Sequence, residues 1–324
     1  MEVKKINIEK KLKEEKGSVA VLVLITIIAF LIVLTAFYFR STYVRKSQLQ
    51  TDALLKNVYE SQVNDEITQY SWKSYVQDGL MLHYDGINNT GNGHSEDAEV
   101  WKDLSGNGND GTLNGTNYLE ASGWKEKCLK MDGVNDWIDT GLPANTTFTP
   151  NSDFTMSITV AFNTISNAGT SDIVTEDGDT GTLFGGMGSN GGYGIFWTTK
   201  KTDNKTINIE SGAREQDTEN YIFNKAKVVN ANEKVNFVFS YSKIDKKLRV
   251  YLNGELFDEK GEFTAADWGT TLNNISINKN EKIRGDFAPA YADINVYSAM
   301  IYNKTLTAEE IAENYKVDRQ RFEI

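Results

Sequence analysis

An uncharged run, residues 19–39, constrains this chain more than any other feature. It reads VAVLVLITIIAFLIVLTAFYF. A bilayer core takes about 20 apolar residues as a helix, so the run is long enough to span one. A core helix of this length keeps a polar face, and this run has none. A cleaved secretory signal has a shorter apolar region, about 7–15 residues, ending in small residues at the cleavage site. Here the run ends Ala36-Phe37-Tyr38-Phe39-Arg40, with aromatics and a cation set for a membrane interface.

The span divides the charge unevenly. The whole chain of 324 residues carries 34 basic and 45 acidic side chains, a net of −11. Residues 1–18 hold +2 and residues 40–77 hold +1. Residues 78–324 hold 23 basic and 37 acidic side chains, a net of −14. A body this acidic argues against nucleic acid and anionic surfaces as partners. It leaves cations, neutral glycans and basic protein patches. A single cysteine, Cys128, excludes an intrachain disulfide framework. Two histidines, His83 and His94, leave little room for a multi-histidine metal site.

Neither Gly nor Pro interrupts residues 18–78, so nothing there must break a helix. Leu55, Tyr59, Val63, Ile67 and Tyr70 recur on one helical face. The spacing predicts one helix from Ser18 to the low 70s, apolar all round first and amphipathic later. Lys13-Glu14-Glu15-Lys16-Gly17-Ser18, followed by the apolar run, resembles the leader of type IV pilins and pseudopilins. The resemblance covers residues 10–75. It implies a cut by a prepilin peptidase after Gly17, leaving Ser18 as the new N-terminus, and assembly with other pilin subunits. The family places Glu at the fifth mature position, where this chain has Leu22. A buried carboxylate there is paired with a neighbour's amine, because an unpaired charge in hydrocarbon is costly. The departure leaves two readings open: a minor or terminal subunit, or a permanent signal anchor without a filament. Both put the N-terminus in the cytoplasm and the body outside, in the first case on a surface filament. The last residues, 319–324, hold no apolar run, so anchoring is expected to rest on the N-terminal helix.

From Gly79 the hydrophobic period becomes two. Phe154, Met156, Ile158, Val160 and Phe162 alternate with smaller or polar residues, and Val235–Tyr241 and Leu248–Leu252 do likewise. Further strands are expected at Leu80–Tyr84, Leu129–Asp132, Tyr193–Thr198, Ile207–Glu210, Ile275–Asn278 and Tyr291–Tyr302. Asn253-Gly254 is the dipeptide that a two-residue hairpin turn prefers. Thr307 and Glu310 form a capping box ahead of a helix expected to end near Lys316. Many strands with glycine-rich turns and little helix give two packed antiparallel sheets. The expected division is a leader over 1–17, a membrane and stalk helix over 18–77, and a mostly β sandwich over 78–324.

Four segments carry a second resemblance: residues 101–111 (WKDLSGNGNDG), 129–136 (LKMDGVND), 250–254 (VYLNG) and 301–311 (IYNKTLTAEEI). In this order they resemble the laminin-G-like jelly rolls of the concanavalin A-like lectin/glucanase superfamily. The resemblance covers nearly all of 78–324. It implies adhesion, through glycan or protein binding, often with calcium.

The residues suggest where chemistry would sit. Glycoside hydrolysis needs two carboxylates about 5–10 Å apart. Glucanases of this superfamily often carry E-x-D-x-x-E on one strand, a motif absent here. Asp293 is the single acid on the comparable late strand, and Glu96, Asp97 and Glu99 lie in a polar loop. The protein is therefore expected not to be an enzyme, with a glycoside hydrolase as the lesser alternative. Asp103, Ser105, Asn107 and Asn109 alternate as calcium-loop ligands do, but Asn114 stands where an EF-hand has Glu. The same residues suit Asx turns bonding their own backbone. Glu176-Asp177-Gly178-Asp179 is a second acidic loop with the same ambiguity. Of Trp101, Trp124, Trp137, Trp197 and Trp268, most are expected in the core. Trp197, near a glycine-rich stretch, and Trp268, in Ala-Asp-Trp-Gly, are the expected rim residues for a sugar.

Overall fold

The computed structural model describes residues 19, 21–41, 44–46, 48, 51, 70–118, 121–163, 179–187, 191–200, 203–215, 220–268, 273–279, 281 and 288–324. Gly17, Ser18, the stalk positions Leu55, Tyr59, Val63 and Ile67, and Glu176–Gly178 lie outside them. The chain divides into two compact units, residues 1–68 and 69–324.

In the first unit, helix α1 (Val21–Lys46) is long and apolar enough to cross a membrane. Its 26 residues span roughly 39 Å at 1.5 Å each, against a hydrocarbon core of about 30 Å. Leu22 lies in its first turn.

The second unit is a sandwich of two sheets. In chain order its strands are β1 (Leu80–Asp85), β2 (Val100–Trp101), β3 (Gly111–Asn114), β4 (Gly123–Lys125), β5 (Cys128–Asp132), β6 (Trp137–Pro143), β7 (Phe154–Phe162), β8 (Asp179–Gly185) and β9 (Gly192–Lys200). There follow β10 (Asp203–Arg214), β11 (Tyr221–Phe223), β12 (Lys227–Val229), β13 (Lys234–Ser242), β14 (Lys247–Leu252), β15 (Glu255–Lys260), β16 (Asn274–Lys279), β17 (Ala288–Pro289) and β18 (Asp293–Tyr302). Sheet A runs β15-β14-β13-β7-β18-β5-β4, with β1 beside the second half of β18. Sheet B runs β11-β10-β9-β8-β16-β6-β3-β2, with β12 against β10 and β17 against β8. Apart from the parallel contact of β17, the pairings are antiparallel.

The predicted strands form where their alternation placed them. Phe154, Met156, Ile158, Val160 and Phe162 all point into the core between the sheets. Asn253 and Gly254 take φ of 50° and 81°, the left-handed pair that joins β14 to β15. A short helix, α2 (Ala144–Thr147), follows β6.

Helix α3 (Ala308–Phe322) opens on the predicted box, in which the Thr307 hydroxyl accepts from the Glu310 N–H and the Glu310 carboxylate accepts from the Thr307 N–H. It runs past Lys316 because its second half is buried against the outer face of sheet A. Ile311 and Val317 meet Val238, Tyr251 and Tyr302, and Phe322 meets Cys128 and Tyr297. Cys128 is buried, and burial pushes its thiol up to about 11.

Beneath α3 lies a polar cluster. The Asp318 carboxylate is fully buried and accepts from Tyr75 OH at 2.6 Å, Asn236 Nδ2 at 3.0 Å, and the Thr159 and Ser298 hydroxyls. Burial still pushes it up to about 6. Residues 70–77, read as stalk from the sequence, pack here instead. Trp72–Ser74 is one 3-10 turn, and Tyr75 is extended.

Candidate carbohydrate site

Asp103 takes part in loop geometry. Its Oδ1 accepts from His83 N and Ser105 N, each at 2.9 Å. Its Oδ2 accepts from Ser105 Oγ at 2.7 Å and Asn109 N at 3.0 Å. A carboxylate has about four lone-pair sites, and four donors occupy them. Asn107 and Asn109 turn their amide nitrogens to the carbonyls of Leu80 and Met81. This is the Asx-turn arrangement, and it does not fit a calcium ion, which needs six or more oxygens aimed at one point. Among the described residues, His, Cys, Asp and Glu form no group of three able to hold a metal.

The expected rim tryptophans lie in the core, which corrects their assignment. Trp197 has no exposed surface and Trp268 1%. Trp197 sits on β9 with its ring edge-on to Phe162, 6.5 Å between centroids. Trp268 closes an aromatic cluster with Tyr193, Tyr241 and Phe154, at 4.9, 5.3 and 5.6 Å. Glycines beside Trp197 and Ala-Asp-Trp-Gly around Trp268 suggested loops. Strand parity turned the Trp197 ring inward, and aromatic packing draws Trp268 inward from a loop.

Trp101 and Trp124 are also buried, and Trp137 is the one of the five that is partly exposed. Alternation explains it. Ile138 is inward and fully buried, so Trp137 and Asp139 face outward from sheet B. Asn114 on β3 lies opposite Trp137, and Thr112 and Ser276 flank Asp139. Asp139 Oδ1 accepts from Gly141 N at 2.8 Å and Asn274 Nδ2 at 2.9 Å. Among the described residues its Oδ2 has only a long contact, 3.3 Å, to the same amide. Lys279 Nζ lies 5.0 Å above the Trp137 ring and 3.2 Å from Glu281 Oε1. The result is a partly exposed aromatic ring, with the Lys279 ammonium over it, among amides and carboxylates. The sequence signal for it was the parity of residues 137–140, with Ile138 inward.

Elsewhere on this face Thr182, Phe196, Thr198 and Glu210 point outward from sheet B yet are buried. Asp139 and Glu210 share the face but stand four strand spacings apart, roughly 19 Å at ~4.8 Å each. That is too wide for hydrolysis by a carboxylate pair. Asp293 accepts from Asn163 Nδ2 at 2.7 Å.

A family model described as the concanavalin A-like lectin/glucanases superfamily matches residues 132–312, more than half of the chain. No curated protein matches. Among solved structures, Trypanosoma rangeli sialidase in complex with sialic acid is 18% identical with a TM-score of 0.44, covering 74% of this chain and 33% of its own. A mutant of that sialidase displaying trans-sialidase activity is 16% identical, TM-score 0.47, covering 83% and 39%. The receptor binding domain of botulinum neurotoxin C/D mosaic serotype is 15% identical, TM-score 0.46, covering 74% and 52%. The chain thus spans about a third of the length of the sialidases it matches. Likenesses this distant say nothing of substrate or site. The matched family, however, includes glucanases by its own description. That overturns the expectation of a protein that is not an enzyme.

Proposed function

We propose, from the premise that this chain belongs to the concanavalin A-like lectin/glucanases superfamily, that its sandwich binds carbohydrate at Trp137. One observation carries the reading: a partly exposed indole on the outer face of sheet B, opposite Asn114 and on the same face as Asp139, which Asn274 holds. The ring supplies an apolar platform for a sugar's C–H face. Asp139 Oδ2 and the amides supply acceptors and donors for its hydroxyls. Asp139 and Glu281 flank the platform, and Lys279 is already paired with Glu281, so uncharged sugars suit it better than carboxylated ones.

A glycan array of neutral, sialylated and uronate oligosaccharides tests this. Trp137→Ala should lose at least tenfold in affinity for the sugars bound, about 1.4 kcal/mol, at unchanged thermal stability. Unaltered binding by the variant would sink the assignment, and a preference for acidic sugars would sink the charge argument. Release of reducing ends from the same oligosaccharides would add catalysis to binding.

The division of the chain supports a membrane-held display of this domain. In our reading α1 spans the membrane, the N-terminus is cytoplasmic and the sandwich is outside. The Lys16-Gly17-Ser18 junction supports a pilin-like minor subunit that a prepilin peptidase cuts and other pilins surround. Leu22, in place of the family's Glu, favours a permanent anchor instead. Mass spectrometry of the membrane-extracted protein separates the two. A mature chain starting at Ser18 is expected for the pilin-like subunit, and an intact leader excludes it.

A further inference from the structure

The segment that enters the sandwich is held by the helix that leaves it. Arg321 Nη1 donates to the Tyr70 carbonyl at 3.4 Å, and Lys316 Nζ lies 5.8 Å above the Tyr70 ring. Tyr75, 2% exposed, donates to Asp318 Oδ1 at 2.6 Å. Val76 N donates to Asn314 Oδ1 at 2.9 Å. The Asn314 amide in turn donates to Tyr302 OH at 3.0 Å. Arg321 Nη2 meets Asp85 Oδ2, at the end of β1, at 2.5 Å.

The strand that follows, β1, pairs with β18 over Leu80–Asp85, with an irregularity between Leu80 and Leu82. Its other edge is bonded by the loop of Asp103, Asn107 and Asn109. Tension on the chain at residue 70 would act first on this strand, one pairing at a time. The contacts to α3 intercept it. They spread the load over four residues of a 15-residue helix whose other face is packed on sheet A. Elements that open below the global free energy are contiguous units of this kind.

We propose that α3 is a clasp that locks residues Tyr70–Val76 and strand β1 to sheet A, and that this clasp opens as a unit before the sandwich unfolds. It is the element through which a pull on the N-terminal helix enters the fold. The closed clasp stands on contacts within the sandwich, and its load-bearing role rests on the membrane-held reading above.

Lys73 is exposed and lies inside the clasped segment, so trypsin reports the opening. A protease needs several residues of detached chain, so cleavage follows the population of the open form. In the full-length protein in detergent, Asn314→Ala and Tyr75→Phe should each speed cleavage after Lys73 by about tenfold. Amide exchange in β7 and β13 should stay at its unmutated rate. Fragments beginning at Ser74, read by mass spectrometry, identify the cut. If cleavage after Lys73 rises only in step with exchange in β7 and β13, the segment opens with the whole domain and there is no separate clasp. If neither variant changes cleavage, these contacts do not hold the segment. Both results stand apart from glycan binding, which the Trp137 variant tests.

Discussion

Arg321→Ala should destabilise the sandwich by about 3–5 kcal/mol, the cost of leaving a buried partner charge uncompensated. The pair is deep: side-chain exposure is 8% for Arg321 and 0% for Asp85. Asp85 cannot relax into solvent, because its Oδ1 holds the N–H groups of Ile87 and Asn88, each at 2.9 Å. Its carbonyl also accepts from the Trp101 indole at 3.1 Å. Chemical denaturation of the full chain, followed by tryptophan fluorescence, measures the loss. Arg321→Met with Asp85→Asn should recover a large part of it, since the double change removes both charges. A single variant within about 0.5 kcal/mol of the parent would mean that water reaches Asp85 and the pair is not buried.

Trp268→Ala should cost a similar amount, about 3–5 kcal/mol, for a different reason. The indole fills the space between Phe154, Tyr193 and Tyr241, and its removal leaves a cavity the sheets cannot close. Among the described residues its Nε1 has no hydrogen-bond partner, so the side chain contributes through packing and burial. Sugar binding by the folded fraction should be unchanged. A variant of parental stability that loses sugar binding would restore Trp268 to the rim.

The sandwich was legible because its long strands obey a strict period. Val235–Tyr241 pairs with β7 from Lys234↔Ala161 to Tyr241↔Phe154, without a slip. A shift of one residue would turn the aromatic face to solvent. The short strands were not legible. Val100–Trp101 and Gly123–Lys125 hold two and three residues, too few to display a period. They exist because neighbouring strands offer them hydrogen bonds. The start of α3 was legible, since a capping box is local chemistry. Its end was not: Val317, Asp318 and Phe322 extend the helix through contacts to β7, β13 and β18, distant in sequence.

The candidate site divides in the same way. Asp103 stood out in the sequence as a calcium-loop candidate or an Asx-turn residue, since both need only neighbours a few residues away. Two readings of its oxygens were open until the four donors were placed. Trp197 and Trp268 had loop-like neighbours yet lie in the core, and Trp137 had strand-like neighbours yet faces out.

By itself the sequence determined the properties that depend on local pattern and on totals. These are an apolar helix long enough for a membrane, an acidic body of two packed sheets, a hairpin at Asn253-Gly254 and a capped last helix. Tertiary structure alone decided which tryptophan reaches solvent, whether the Asp103 oxygens are free, and that residues 70–76 belong to the sandwich. The physical reason is common to all three. Each depends on contacts with residues distant in the chain: the layer a strand face meets, the His83 N–H on Asp103, and α3 on Tyr75 and Val76.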